Sequence, residues 1–276
     1  MIKTIDIDKI FDKYIGTYVY KNIGKIKPEE IEDHIPTMYE EFGNTALPEL
    51  DGKTPNEYYR EFPAEELIAA LKEHVEKGVP VSDFLSEGII NAKDGEAAVV
   101  SALKDAENDE FIAYLLNIHE IMNAESGLNE ILNLIICDYP ENVTEIATEI
   151  LSSKADRIKD SVLESFEGAS ERAKECFAEI LSHAGRDEKV LSVLVAEFLR
   201  HGDKIAQYAG YLSRFGDERA LPYLMTAIEN EKIRYADFME LRFAIESLGG
   251  EYKKERDFTG DKDYGKIKGT KKNRII

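Results

Sequence analysis

Apolar residues recur every three or four positions along the second half of the chain, in short blocks separated by Gly, Asp, Ser or Asn. This spacing places the apolar side chains on one face of a helix, so each block predicts an amphipathic α-helix. Helices this short cannot bury their apolar faces alone, so they are expected to pack as four consecutive pairs. The eight blocks are residues 128–135, 143–151, 158–166, 173–180, 191–198, 205–215, 221–228 and 238–248.

The later pairs also align with one another along the sequence. Leu191 falls on Leu221 with a shift of about thirty residues, and Gly216 falls on Gly249 with a slightly larger one. Self-similarity at a nearly fixed period is typical of stacked structural repeats. The pattern therefore predicts an α-α superhelix in which each pair of helices packs on the next.

Two segments resemble HEAT-like repeats of the phycobilisome-lyase type. In residues 215–224, FGDERALPYL, a glycine ends one helix, an aspartate caps the next, and the Ala-Leu-Pro-x-Leu run enters the core. Residues 185–191, GRDEKVL, are similar but lack the proline. The resemblance covers about residues 126–250, and it implies an α-solenoid with a binding role. Such repeats carry many unrelated functions, so the function is implied only by analogy.

The first half of the chain shows helical blocks without the repeat register. Residues 1–62 hold 9 of the 26 aromatic residues and are expected to form a separate helical cap, with helices over 7–20 and 28–42. Thr54-Pro55 predicts a helix start. In the connecting region 63–125, further helical blocks occupy residues 63–77, 80–89 and 94–122. No alternating strand pattern bounded by turns occurs, so the chain is predicted to be all-α.

Charge limits the classes of partner. The chain has 35 Lys and Arg against 55 Asp and Glu, a net charge of −20, which favours basic partners over nucleic-acid backbones or anionic membranes. The tail, residues 251–276, is instead basic, with nine cations and five carboxylates. It is expected to be flexible or to form an extended strap. RNA or ribosome contact through this tail, or a return of the tail onto the acidic body, are open alternatives.

The cysteines and the N-terminus indicate a cellular setting. Cys137 and Cys176 lie in apolar helical patterns and are expected to be core thiols, and two cysteines cannot build a disulfide framework. The N-terminus has no apolar segment typical of a secretory signal, and no apolar stretch approaches the roughly 20 residues that span a bilayer. The sequence therefore predicts a cytoplasmic protein without a membrane span.

Signatures of catalysis and metal binding are lacking in the sequence. The tripeptide 52–54, Gly-Lys-Thr, is not a phosphate loop, because Leu47 stands where a glycine is needed and Pro55 removes an amide donor. His119 has no second histidine four residues later, and no histidine follows a glutamate by three residues. No metal and no cofactor are predicted. His183 aligns with apolar positions of later repeats and is expected to be a partly buried packing residue.

In α-solenoids the second helix of each pair usually lines the concave face, and the register predicts which side chains lie there. This row is nearly neutral and includes tyrosine and arginine, which are enriched at interface anchors. It suits a protein or peptide segment better than a nucleic-acid backbone. The predicted partner-binding residues are Arg172, Glu175, Glu179, Lys204, Gln207, Tyr211, Arg214 and Glu240.

The leading functional hypothesis is a helical-repeat scaffold that binds a protein or peptide partner without catalysis, although enzymatic activity is an open question. The alternative is an enzyme or small-ligand binder with its site in the N-terminal aromatic region. That site would form around His34, Tyr39, Tyr58 and Tyr59.

Overall fold

The structure is a computed structural model that describes residues 2–22, 31–262 and 264–266. Helices account for 72% of the described residues, and those residues contain no strand, which confirms the all-α prediction. Fifteen α-helices occur in the described part. They are α1 (Ile7–Lys21), α2 (Ile31–Gly43), α3 (Pro55–Tyr58), α4 (Ala64–Lys77), α5 (Asp83–Asn91), α6 (Gly95–Asp105), α7 (Asp109–Ile121), α8 (Leu128–Ile136), α9 (Glu141–Ser153), α10 (Ala155–Ser165), α11 (Glu171–Ser182), α12 (Glu188–Arg200), α13 (Ile205–Phe215), α14 (Leu221–Ile228) and α15 (Tyr235–Ser247).

The periodicity located the helices well. Each of the eight blocks in the second half became one helix, α8 to α15. The block 94–122 divides into α6 and α7, because the side chain of Asn108 accepts a hydrogen bond from the Phe111 amide at 2.9 Å and caps a new helix. Thr54 caps α3 in a capping box with Glu57, as its position before Pro55 suggested. Residues 28–30 of the predicted second helix lie outside the described residues.

The chain divides into two compact units, Met1–Glu130 and Ile131–Ile276. The first unit contains both the aromatic-rich region 1–62 and the connecting region 63–125. The second unit begins inside α8 and holds most of the region 126–250 that was predicted to form repeats.

In the first unit, the N-terminal segment is held against α4 by a buried histidine. His74 is 1% exposed, and its Nδ1 lies 2.8 Å from the carbonyl oxygen of Ala70. Its Nε2 lies 3.3 Å from both the amide nitrogen and the carbonyl oxygen of Ile5. Ile2 and Ile7, on either side of this contact, are buried. A buried ring that bridges two segments in this way joins the chain start to the core.

In the second unit, the helices pack in pairs, and α9, α11, α13 and α15 also pack one on the next. Three side-chain contacts fix the relative direction of these helices. Arg172 reaches Thr144 near the starts of α11 and α9, and Lys204 pairs with Glu175 near the starts of α13 and α11. Arg214 reaches Ser182 at the ends of α13 and α11. The three helices therefore run parallel, with their N-terminal ends along one edge.

The turn after α13 has the form that the resemblance implied. Gly216 has φ +74°, a left-handed conformation that favours glycine, and it ends the helix. The next residue, Asp217, is 2% exposed, and its carboxylate accepts hydrogen bonds from the Arg219 amide at 3.0 Å and from the Arg219 guanidinium at 2.8 Å. A short 3-10 turn, Glu218–Ala220, then leads into α14, with a proline in the first turn of that helix.

The carboxylate of Asp217 should contribute to acid sensitivity. The hydrogen bond from the Arg219 guanidinium lowers the pKa of Asp217 to about 2, below the usual range of an aspartate carboxyl group. Because the folded-state pKa lies below the unfolded one, the stabilisation is complete above about pH 4 and is lost as the pH falls through about 2. Asp217→Asn keeps a capping side chain but cannot titrate. We expect the difference in unfolding free energy between wild type and variant, measured in urea, to shrink as the pH falls from 6 to 2.5. A difference that stays constant over this range would contradict the assignment.

The described start of the basic tail is an extended strap on the last helix pair. Residues 251–258 contain no helix, yet Tyr252 and Phe258 are buried, with ring centroids 5.9 Å and 5.1 Å from that of Phe238. Arg256 donates hydrogen bonds to the carbonyl oxygens of Ile228 at 2.7 Å and Asn230 at 2.8 Å, at the C-terminal end of α14. Of the two expectations for the tail, flexibility or an extended strap, residues 251–258 show the strap, packed against α14 and α15. Residue 263 and residues 267–276 lie outside the described part.

Candidate functional site

An open groove of about 740 Å³ runs between α9 and α11 and is called here the α9–α11 groove. Both walls are helix faces that the stacking of the two helices leaves uncovered. Its lining contains five carboxylates, four hydroxyls, one thiol, one guanidinium and one imidazole. These side chains belong to Glu141, Thr144, Glu145, Thr148, Glu149, Ser152, Ser153, Arg172, Glu175, Cys176, Glu179 and His183.

The α9 wall carries a row of three carboxylates. Glu141, Glu145 and Glu149 are all exposed and follow one another at intervals of four residues. At a rise of about 1.5 Å per residue, their positions repeat every ~6 Å along the helix. None of the three makes an ion pair or a hydrogen bond through its side chain within the described chain. The wall therefore presents three carboxylates in a line, none of them in an ion pair within the described chain.

A row of hydroxyl groups lies beside the carboxylates on α9. Thr148 Oγ1 donates to the carbonyl oxygen of Thr144 at 2.7 Å, and Thr144 Oγ1 accepts from the guanidinium of Arg172 at 3.0 Å. The Oγ of Ser152 is buried and has no hydrogen-bond partner in the described chain. The contact with Thr144 places the Arg172 cation at the end of the groove near the helix starts, away from Glu149.

The α11 wall is partly neutralised by its other neighbour, α13. Glu175 forms an ion pair with Lys204, and Glu179 Oε2 lies 3.5 Å from the hydroxyl of Tyr211. Burial raises the pKa of the Cys176 thiol, so less reactive thiolate forms at neutral pH. Desolvation, followed by the Arg214 charge, lowers the pKa of His183. The imidazole therefore adds little positive charge to the groove near neutral pH.

The four predicted residues of α13 form a bonded strip against α11. Gln207 donates to the Tyr211 hydroxyl at 2.8 Å, and Arg214 donates to Ser182 Oγ at 3.1 Å while lying 5.8 Å from the Tyr211 ring centre. Tyr211 is only 6% exposed, and burial raises its pKa to about 12. It lies within the wall, so it offers a partner little free surface.

The structure brings seven of the eight predicted partner-binding residues onto the neighbouring faces of α11 and α13. They are Arg172, Glu175, Glu179, Lys204, Gln207, Tyr211 and Arg214. The eighth, Glu240, lies exposed on α15 and makes no side-chain bond within the described residues. The sequence reasoning did not select the α9 carboxylates. Their spacing of four residues was the available signal, but it was hidden among 55 acidic residues.

Two expectations about packing are wrong. His183 was expected to be partly buried as a packing residue, but it ends α11 as an exposed side chain and lines the groove. It follows the last turn of α11, so its side chain falls outside the apolar stripe of that helix. Cys137 was expected to be a core thiol but is exposed just after α8, while Cys176 is half-buried in the groove wall.

The alternative site in the N-terminal aromatic region is largely a packed cluster. Tyr58 and Tyr59 are 3% and 1% exposed, and their rings meet edge to face at 5.1 Å. Tyr39 is half-buried, stacks on Phe84 at 5.0 Å and has its hydroxyl 3.3 Å from Asp83. Their burial and mutual contacts make these tyrosines part of the core of the first unit. His34 lies on α2 and is half-buried.

The described residues contain neither a cluster of metal ligands nor a membrane-spanning helix. No group of three or more His, Cys, Asp or Glu side chains in that part could hold a metal ion. None of its helices is long and apolar enough to cross a membrane.

The tail was also considered for RNA contact through its basic residues. Lys254 forms an ion pair with Glu229 at 2.7 Å, and Arg256 donates a hydrogen bond to the carbonyl oxygen of Asn230 at 2.8 Å. These two cations are therefore already bonded within the chain.

Comparisons of the chain with protein families, with curated proteins and with solved structures found no match.

Proposed function

We propose that this protein is a helical-repeat scaffold that binds a basic segment of a protein partner in the α9–α11 groove. The observation that carries the proposal is the line of three unpaired carboxylates, Glu141, Glu145 and Glu149, along one wall of an open groove. Lysine or arginine side chains of a partner would meet these charges directly. The net charge of −20 would also speed the approach of a basic partner.

The acidic row is unfavourable for the helix that carries it. Like charges four residues apart destabilise a helix by roughly 0.2–0.5 kcal/mol per pair. Glu145 has such a neighbour on each side, and none of the three carboxylates forms an ion pair within the described chain. A bound cationic segment would remove this repulsion, so it would stabilise α9 as well as occupy the groove.

The proposed architecture is a HEAT-like stack in the second unit. It is supported by the successive packing of α9, α11, α13 and α15 and by the parallel direction of α9, α11 and α13. The glycine and aspartate turn before α14 also supports it.

The proposal can be tested with a fluorescein-labelled decapeptide of alternating Lys and Ser. We expect Glu145→Lys/Glu149→Lys to weaken its binding about tenfold or more, because two attractive contacts of up to ~1 kcal/mol each become repulsive. Glu40→Lys/Glu120→Lys is a matched control, since it makes the same change in net charge at exposed positions of the first unit. Fluorescence anisotropy gives the affinities. Equal losses of affinity in the two double variants would show that net charge alone causes the weaker binding. That result would contradict the groove assignment.

The two cysteines provide a second readout on the same molecule. Cys176 lies in the groove wall and Cys137 is exposed outside it. We expect the Lys-Ser peptide to slow modification of Cys176 by iodoacetamide several-fold and to leave Cys137 unchanged. Mass spectrometry of the tryptic peptides reports both sites in one sample. If Cys176 reacts at the same rate with saturating peptide, the peptide binds elsewhere.

A further inference from the structure

The first helix carries a basic face in an acidic chain. Lys9 and Lys13 are four residues apart on α1, and Tyr20 follows Lys9 by about three helical turns, so the three side chains lie on one face. All three are exposed, Tyr20 to 76%. Neither lysine makes an ion pair or a side-chain hydrogen bond within the described chain. This basic face of α1 therefore presents two unpaired cations in line with an exposed aromatic ring.

We propose that the basic face of α1 binds the α9–α11 groove of a second copy of this chain. The inference rests on the proposed function, because it uses the same acidic wall, and it names the partner that supplies the cations. The contact joins two different surfaces, so each bound copy keeps one of them free. Further copies then add head to tail until a ring closes.

The spacing of the lysines matches the spacing of the carboxylates. Lys9 and Lys13 are four residues apart on a helix, as are Glu145 and Glu149, so both pairs repeat at ~6 Å along their helix axes. Two helices that pack side by side therefore place both lysines opposite successive carboxylates. None of these four side chains has to give up an ion pair within the described part of its own copy.

The acidic residues of α1 lie away from its basic face. Asp8 and Asp12 each precede a lysine by one residue, which places them about 100° round the helix from it. Desolvation, followed by the charges of Asp6 and Asp83, raises the pKa of Asp8, so that side of α1 faces other carboxylates. Opposite sides of the helix thus differ in charge, and the lysine side is the one complementary to the α9 wall.

Two acidic copies can meet because the attractive contacts are short-range. Each copy has a net charge of −20, but charges further apart than about 8 Å are largely screened at 0.15 M salt. Lysines placed directly against glutamates are screened less. Tyr20 adds an apolar ring of a type that is enriched at protein interfaces, and burying it against the groove removes apolar surface from water.

The test measures self-association by sedimentation equilibrium at 0.15 M salt. We expect the average mass of the wild type to rise above the 31.3 kDa of one chain as its concentration increases. Lys9→Glu/Lys13→Glu should weaken association at least tenfold. Lys93→Glu/Lys189→Glu is the matched control, because it makes the same change in net charge at two exposed lysines that form no ion pair within the described residues. It should associate as the wild type does.

A mixture of two variants tests the pairing of the surfaces directly. Lys9→Glu/Lys13→Glu loses the basic face and Glu145→Lys/Glu149→Lys loses the acidic wall, so each alone should associate at least tenfold more weakly than the wild type. Mixing them brings the intact basic face of one to the intact groove of the other, and association should return. Both variants stay strongly acidic, so net charge cannot produce this rescue. A mixture that sediments as single chains would overturn the inference.

Peptide binding separates this inference from the proposed function. Lys9→Glu/Lys13→Glu keeps the groove, so it should still bind the Lys-Ser peptide, which also shows that it is folded. Modification of Cys176 should slow as the wild-type concentration rises and should not depend on concentration in this variant.

Two results would reject the second copy as the partner and leave the groove proposal standing. One is a wild type that stays a single chain while it binds the Lys-Ser peptide and Glu145→Lys/Glu149→Lys does not. The other is self-association that neither double variant weakens, which would place the contact between copies on another surface. If neither a second copy nor the peptide binds, both proposals fail.

Discussion

Replacing Phe177 by alanine is expected to lower the free energy of unfolding of the second unit by about 3–5 kcal/mol. Phe177 is fully buried in α11, and its ring lies 6.0 Å from that of Phe166. α11 packs on α9, α10, α12 and α13, so the cavity would open at the centre of the stack. Neighbouring helices can fill such a cavity only in part, which is why the loss exceeds the transfer free energy of the ring.

Tyr208→Phe provides a matched control for this variant. Tyr208 is also fully buried in the same unit, and its ring stacks on that of His201 at 5.0 Å. Its hydroxyl has no hydrogen-bond partner within the described chain, so removing it leaves the packing intact and relieves an unsatisfied buried group. We expect equal or slightly higher stability. Urea unfolding followed by circular dichroism measures both variants, and a loss of less than about 1 kcal/mol for Phe177→Ala would contradict the packing described here.

Gly95→Ala is expected to destabilise the first unit by about 3 kcal/mol. Gly95 is the first residue of α6, and a Cβ atom at this position would overlap the carbonyl oxygen of Ile89 near the end of α5. That oxygen also accepts the hydrogen bond from the Ala92 amide that ends α5. The overlap is with backbone, so the connection between α5 and α6 has to move as a whole.

Gly16→Ala is the appropriate comparison for Gly95→Ala. Gly16 lies inside α1 of the same unit, and a Cβ there would meet nothing within 4 Å. Alanine should therefore stabilise α1 by about 0.5–1 kcal/mol, the usual gain over glycine in a helix interior. Thermal unfolding measures both variants. Equal shifts in melting temperature would show that the approach of α6 to Ile89 is not tight.

The stability of the second unit and the proposed binding depend on opposite faces of the same helices. Phe177 faces the core beneath the groove, while its neighbour Cys176 lies in the groove wall. A loss of peptide binding in Glu145→Lys/Glu149→Lys is therefore informative only if the variant stays folded. The change makes the pair at positions 141 and 145 attractive and leaves one like-charge pair, at positions 145 and 149, in place of two, so the variant should be at least as stable as the wild type.

The amino-acid sequence alone was enough to locate the helices and to predict the fold class. The three- and four-residue spacing marked all eight helices of the second half, and Thr54 and Asp217 mark helix starts by local hydrogen bonds. Helix periodicity and capping depend on residues within one or two helical turns of each other. Because these residues are also neighbours in the sequence, both features can be predicted from the sequence alone.

The tertiary structure decided which exposed faces meet. The sequence placed Arg172, Glu175 and Glu179 on one face, but the contacts across helices show that Lys204 pairs with Glu175 and that no described cation forms an ion pair with the α9 carboxylates. Burial of Tyr211 and exposure of His183 likewise depend on how α11 and α13 pack against their neighbours. The net charge of a surface depends on side chains that lie about thirty positions apart in the sequence, such as those of Lys204 and Glu175. Only the packing of the helices brings these side chains close enough to interact.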